Sequence, residues 1–147
     1  MKIIATNKKA RFEYELLESF EAGIVLQGPE IKSARNSKLS LQDSYAAVEG
    51  GEVFLHNMYI APYEPANRFN HEPRRKRKLL LKKSEIRRIA GKMAGSALTV
   101  IPVKAYLKGG KAKVEIALAR GKKKYDKREA IKKRELEREA RRTFRGR

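Results

Sequence analysis

The sequence predicts a mainly β fold: a closed or nearly closed antiparallel barrel of about six or seven short strands, two or three short helices, and a basic C-terminal tail. Three observations predict it. Short β-prone runs recur, and two pairs of them are joined by Gly50-Gly51 and Gly109-Gly110, the signal of tight primed hairpin turns. No strand alternates with a long helix, so a parallel βαβ sheet is not expected. The length, 147 residues, suits one domain plus a tail, and closure of so small a sheet removes its exposed edges. The same pattern allows a sandwich.

Each element has its own reason. Phe12, Tyr14 and Leu16 alternate with charged residues, which predicts a strand with one wet face running to Phe20. Ala22 to Gln27 reads as a second, more apolar strand, broken by Gly28-Pro29. Pro29 suits the first turn of a helix, where Glu30 is favoured by the dipole; Ile31 and Ala34 face in, Lys32 and Arg35 out. Leu39 and Leu41 mark another short strand. Tyr45–Glu49 and Val53–Ile60 form the first hairpin.

Residues 61–73 hold three of the five prolines and no periodicity, so they read as a long loop. Five consecutive cations, Arg74 to Lys78, then precede Leu79-Leu80-Leu81. Ser84 is read as the cap of a helix reaching Met93, with Ile86, Ile89 and Met93 inward and Arg87, Arg88 and Lys92 outward. Gly95 ends it. Thr99–Leu107 and Lys113–Ala119 form the second hairpin, and Pro102 requires its strand to be an edge or to carry a bulge. The division is a barrel over residues 1–120 and a tail over 121–147.

The tail carries thirteen Lys/Arg against five Asp/Glu. Only Leu136, Ala140 and Phe144 fall at helical intervals, too thin a stripe to bury much surface. Helix grammar is nonetheless present: Asp126 at an N-cap, Glu129 at N3, and Glu137 four residues before Arg141. A segment that can be helical but cannot stabilise itself is read as disordered when free and ordered by a partner surface. With this charge, nucleic acid is the expected surface, the alternative being a solvated basic tail with no specific role.

Lys and Arg total 36 against 17 acids, a net charge of +19, and the body without the tail remains strongly basic. No cysteine is present, which suits the cytoplasm and excludes disulfides and thiolate metal sites. No run reaches the length of a membrane span, and the N-terminus turns charged too early for a signal peptide, so no membrane partner is expected. His56 and His71 stand in unrelated contexts and supply too few ligands for zinc. His56 reads as a strand histidine at the surface or satisfied in place. No phosphate loop, serine elbow or kinase signature occurs. No enzyme activity, cofactor or metal is expected, and the chain is read as a monomer.

Binding chemistry is plentiful. Arg74 to Lys78, the outer face of the 84–93 helix, and Lys122, Lys123 and Lys124 supply phosphate-neutralising charge. Of the aromatics, Tyr14, Tyr45, Tyr59 and Tyr106 lie on predicted strands and are expected mostly in the core. Tyr63, Phe69 and Tyr125, on loop or tail, are the candidates to stack on bases. From the residues alone the reading is an RNA-binding barrel of the oligonucleotide-binding type, with a ribosomal or rRNA-assembly protein as one form of it.

Five blocks sharpen this: Asn7-Lys8-Lys9-Ala10, Phe20 through Arg35, Asp43-Ser44-Tyr45, Pro73 through Leu81, and Gly121 through Arg128. In order along nearly the whole chain, they resemble small protein B, the SsrA-binding protein family of bacteria. The resemblance implies a barrel related to the oligonucleotide-binding fold that binds the tRNA-like domain of transfer-messenger RNA (tmRNA), standing in for the missing anticodon arm. It implies action on stalled ribosomes in trans-translation, with the tail becoming helical in the mRNA channel beside the small-subunit decoding centre. The alternative is a ribosomal or assembly protein that binds free rRNA.

Residue by residue, the resemblance maps the RNA-binding block onto Gly28, Glu30, Ile31, Lys32 and Ser33, with Arg35 beside it. Asn7 and Lys8 are expected to join that patch. Arg74, Arg75, Arg77, Lys78, Lys122 and Lys123 are the expected phosphate contacts. Lys124, Tyr125, Asp126, Lys127 and Arg128 are expected toward the decoding centre, and Lys132, Lys133, Arg134, Arg138, Arg141 and Arg142 in the mRNA channel. Two roles are open to Glu30: acceptor from a base amino group or 2′-hydroxyl, or helix-dipole partner. On the first, its loss weakens RNA binding and leaves the melting temperature in place.

Overall fold

In the computed structural model, residues 1–65 and 70–122 are described. Their order is β1 (Lys2–Thr6), α1 (Lys8–Glu13), β2 (Tyr14–Ile24), α2 (Gly28–Arg35), β3 (Leu39–Ser40), β4 (Tyr45–Glu49), β5 (Glu52–His56), β6 (Tyr59–Ile60), β7 (Arg77–Leu80), α3 (Lys83–Met93), β8 (Leu98–Lys108) and β9 (Lys111–Gly121). The main sheet runs β1-β8-β4-β5-β7-β2-β9, and β9 pairs back onto β8. Six antiparallel strands therefore close on themselves, with β1 added to β8 as a seventh. The tail from residue 123 onward, and with it every site residue expected from Lys123 to Arg142, lies outside the described residues, as does Phe69.

Closure is possible because β8 serves three partners. It pairs with β9 along its whole length, with β4 at Val100, and with β1 from Lys104 to Leu107. The register slips between Pro102 and Lys104, so the proline sits at a bulge in a doubly paired strand. Asn7 docks there: its backbone N–H donates to Val103 O at 2.8 Å and its Nδ2 to Pro102 O at 3.0 Å.

Both glycine pairs have φ near +59° and +78°, as a two-residue turn of primed type requires. The hairpin register follows, with Val48 opposite Val53 and Lys108 opposite Lys111. Inside lie Phe20, Val53, Leu55, Leu79, Val100, Ile116 and Leu118, together with Ile89 from α3. Ile89 has no exposed surface, and its burial contributes about 1.5–3 kcal/mol. Ile86 and Met93 pack against the same core, while Arg87, Arg88 and Lys92 are exposed.

Several expectations need correction. β1 and α1 are additional elements: Phe12 lies in a helix whose Ala10 packs on Ile101 and Ala119. β2 is one strand of 11 residues, with a bulge between Leu16 and Glu18. The strand expected over 53–60 is two, because Asn57 takes φ +67° and turns the chain after His56. α3 begins at Lys83, with Lys82 as its cap residue in place of Ser84; the Glu85 carboxylate accepts the Lys82 N–H at 2.9 Å.

Candidate nucleic-acid interface

The five cations Arg74–Lys78 are consecutive in sequence but not in environment: Arg74–Lys76 precede β7, and β7 then turns Arg77 into the core and Lys78 toward solvent. Arg77 points inward and has 0% exposure. Its Nε donates to Glu30 Oε2 at 2.5 Å, Nη1 to Met58 O at 2.5 Å, and Nη2 to Pro73 O at 3.0 Å. Glu30 is equally buried. Its other oxygen, Oε1, accepts from Arg75 Nε and Nη2 at 3.1 and 2.5 Å and from the Gln27 N–H at 2.8 Å. Arg75 also donates to Lys76 O and Val25 O.

Burial pushes the Glu30 carboxyl up; hydrogen bonds from Arg75 and the Gln27 N–H, with the Arg77 charge, outweigh it and hold the group below its ordinary value. For Arg77, burial lowers the guanidinium and Glu30 opposes the shift, and the side chain remains a cation. Taking two charges out of water costs several kcal/mol per ion, which only good geometry and extra hydrogen bonds offset. Both are present. Glu30 therefore presents no accessible oxygen to a base or a 2′-hydroxyl, and Arg77 no accessible donor to a phosphate. Their place is a clasp between α2 and the 73–77 segment.

The remaining expected residues scatter over the outer surface. Lys76 and Lys78 pair with Glu49 and Glu52 at 3.1 and 2.8 Å, and Arg74 lies 5.3 Å from the Tyr59 ring. Lys32 sits 5.4 Å from the Tyr63 ring, Arg35 and Lys8 are exposed, and Gly28 is an exposed first residue of α2. Lys122 ties the end of β9 to α1, through its N–H to Glu13 O and its Nζ to Arg11 O. Asn7 makes its hydrogen bonds to β8 and none to the Glu30 clasp.

What sequence reading missed is a groove of about 410 Å³ between the end of β2, α2, β7 and the β8–β9 turn. Val25, Leu26, Ile31 and Leu80 line it, with Lys111 and Lys113 alongside. Leu80 is 54% exposed and Val25 45%, two apolar side chains brought together at one groove. Gly23 lets β7 approach: a Cβ there would stand 3.3 Å from Leu80 Cβ. Beside it, the Glu21 carboxylate accepts from Tyr106 Oη and pairs with Lys108 at 3.5 Å. The Tyr106 hydrogen bond, helped by Lys108, lowers the Glu21 carboxyl, while burial and Glu21 push the Tyr106 hydroxyl far up. A signal was available in the leucine run 79–81 at the end of β7, where alternation with buried Leu79 turns Leu80 outward.

A closed antiparallel barrel with a large surplus of cations and an apolar groove edged by lysines is a nucleic-acid-binding barrel. The SmpB protein family matches residues 4–146, and the chain belongs to that family. SsrA-binding proteins of Listeria welshimeri and Geobacillus thermodenitrificans are 56% and 57% identical over 146 residues, covering 99% of this chain and 95% and 94% of theirs. That of Persephonella marina is 53% identical over the same length and share of this chain, and 96% of its own. A solved chain from the structure "tmRNA-SmpB: a journey to the center of the bacterial ribosome" is 49% identical, with a TM-score of 0.70 over 86% of this chain and 92% of that one.

Proposed function

We propose that the chain binds the tRNA-like domain of tmRNA and is needed for its stable association with stalled ribosomes in trans-translation. The observation that carries this reading is the end-to-end match to SsrA-binding proteins, over 99% of the chain at more than half identity. The surface supports it. The groove offers Leu80 and Val25 to the apolar faces of a folded RNA loop, and Lys111 and Lys113 to its phosphates. The Glu30 clasp supports the reading indirectly, by fixing α2 and β7, whose Ile31 and Leu80 form two walls of that groove.

The chain acts as a binding protein without chemistry of its own, in the cytoplasm, where its RNA and ribosome partners are. The protein stands in for the anticodon arm, and its tail acts in the decoding centre and mRNA channel through Lys124, Tyr125, Asp126, Lys127 and Arg128 and, further on, Lys132, Lys133, Arg134, Arg138, Arg141 and Arg142. The test is to sequence the RNA that co-purifies with the protein and to titrate the isolated tRNA-like domain. Enrichment of tmRNA with a steep salt dependence is expected; enrichment of rRNA in its place would sink the reading.

A further inference from the structure

A second concavity, sharing no residue with the groove, lies between α1 and the start of β4. It measures about 240 Å³ and is lined by Asn7, Lys9, Tyr14, Asp43, Tyr45 and Ile101, among others. Tyr45, a strand tyrosine expected in the core, is instead 47% exposed. It stacks on His56 across the hairpin, with ring centroids 5.1 Å apart and planes 9° from parallel. One face of the phenol is therefore covered, and its exposure falls on the other face and the edge.

Behind the ring pair, His56 Nε2 lies 3.2 Å from Glu49 Oε1 without a hydrogen bond to it, and Lys76 reaches the same carboxylate while lying 4.5 Å from the Phe54 ring. Two non-glycine residues next to the ring pair take the left-handed region, Asp43 at φ +61° and Asn57 at φ +67°. Asn57 Nδ2 donates to Asp43 O at 3.1 Å, tying the two turns together. The exposed Asp43 carboxylate has no hydrogen bond among the described residues.

We propose that this pocket binds one unstacked RNA base, lying on the free face of Tyr45. A base offers a π face to the phenol, an exocyclic amino or imino group to the Asp43 carboxylate, and a phosphate to Lys9. A ring already fixed by His56 loses little freedom on binding. The pocket rests on the reading of the chain as an RNA-binding protein and adds to it a second contact surface. Glu13, whose carbonyl holds Lys122, also lines the pocket, so the base belongs to RNA met at the root of the tail.

The test is to titrate the full chain into hexauridine carrying one central 2-aminopurine, whose fluorescence falls on stacking. The wild type quenches it; Tyr45→Leu, which keeps bulk without a π face, loses most of the quench and binds at least fivefold more weakly; Tyr45→Phe behaves as wild type. Melting curves accompany each variant, and should Tyr45→Leu fail to fold, loss of quench in Asp43→Lys with Tyr45 intact supports the pocket in its place. Equal quenching at saturation by wild type and whichever of these two variants folds overturns the pocket. The tRNA-like domain is titrated in parallel. A wild type that fails to bind it sinks the broader reading, whereas normal binding there with Tyr45-independent quenching sinks the pocket alone.

Discussion

Arg77 Nε stands 2.5 Å from Glu30 Oε2, and neither side chain has any exposed surface. The pair is 47 residues apart in sequence and joins the first turn of α2 to the first residue of β7. Arg75 covers the carboxylate's other oxygen from the solvent side, so one acid neutralises two of the five clustered cations.

Removing one partner of a buried pair leaves the other charge uncompensated. Glu30→Gln is expected to destabilise the fold by about 3–5 kcal/mol, read as a lower midpoint in denaturant melts. The direct-contact role open from sequence predicts the opposite, an unmoved melt with weaker RNA binding. That outcome would restore it.

The clasp also sets an acid limit. The folded pKa of Glu30 is depressed, so its stabilisation is complete above the unfolded carboxylate pKa, about 4.3, and is lost as pH falls through the folded value. Wild-type stability should therefore decline below the ordinary carboxylate range. The slope of unfolding free energy against pH should be shallower there in Glu30→Gln; identical slopes would remove Glu30 as the titrating group.

The groove is predicted to be the main tmRNA surface. Leu80→Asp alters a half-exposed side chain, so the melting temperature should hold while affinity for the tRNA-like domain falls by on the order of tenfold or more. Lys113→Ala should flatten the slope of log affinity against log salt by about 0.7–0.9, one phosphate's worth. Unchanged affinity and slope in both variants would move the interface elsewhere.

A chain ending after Lys122 keeps every described contact of the barrel, including the hydrogen bonds of Lys122 to Glu13 and Arg11. It is expected to melt as the full chain does and to retain most of its affinity for isolated tmRNA. In a reconstituted stalled-ribosome assay it should fail to support peptide tagging. Tagging by the shortened chain would leave the tail without a role.

Whatever depends on near neighbours was legible in the sequence. Paired glycines specify both hairpin turns locally, the 84–93 periodicity specifies which face of α3 is buried, and the proline at 102 implies the bulge. The blocks from Asn7 to Arg128 carried the family. Closure of the barrel, in contrast, is a long-range property: β8 must meet β1, β4 and β9 at once, and no local pattern encodes three partners. β1 and α1 escaped notice because five- and six-residue elements carry too few residues to show a period, and docking of Asn7 on the β8 bulge holds α1 in place. Charge was legible as a total but not as a surface. Alternation along β7 sent Arg77 inward to Glu30 and Leu80 outward into the groove, reversing what residue type suggests. Tyr45, too, faces outward because its register partner His56 lies on the solvent side of the sheet. In each case the side a residue faces follows from strand register, and register is decided by which distant segments pair.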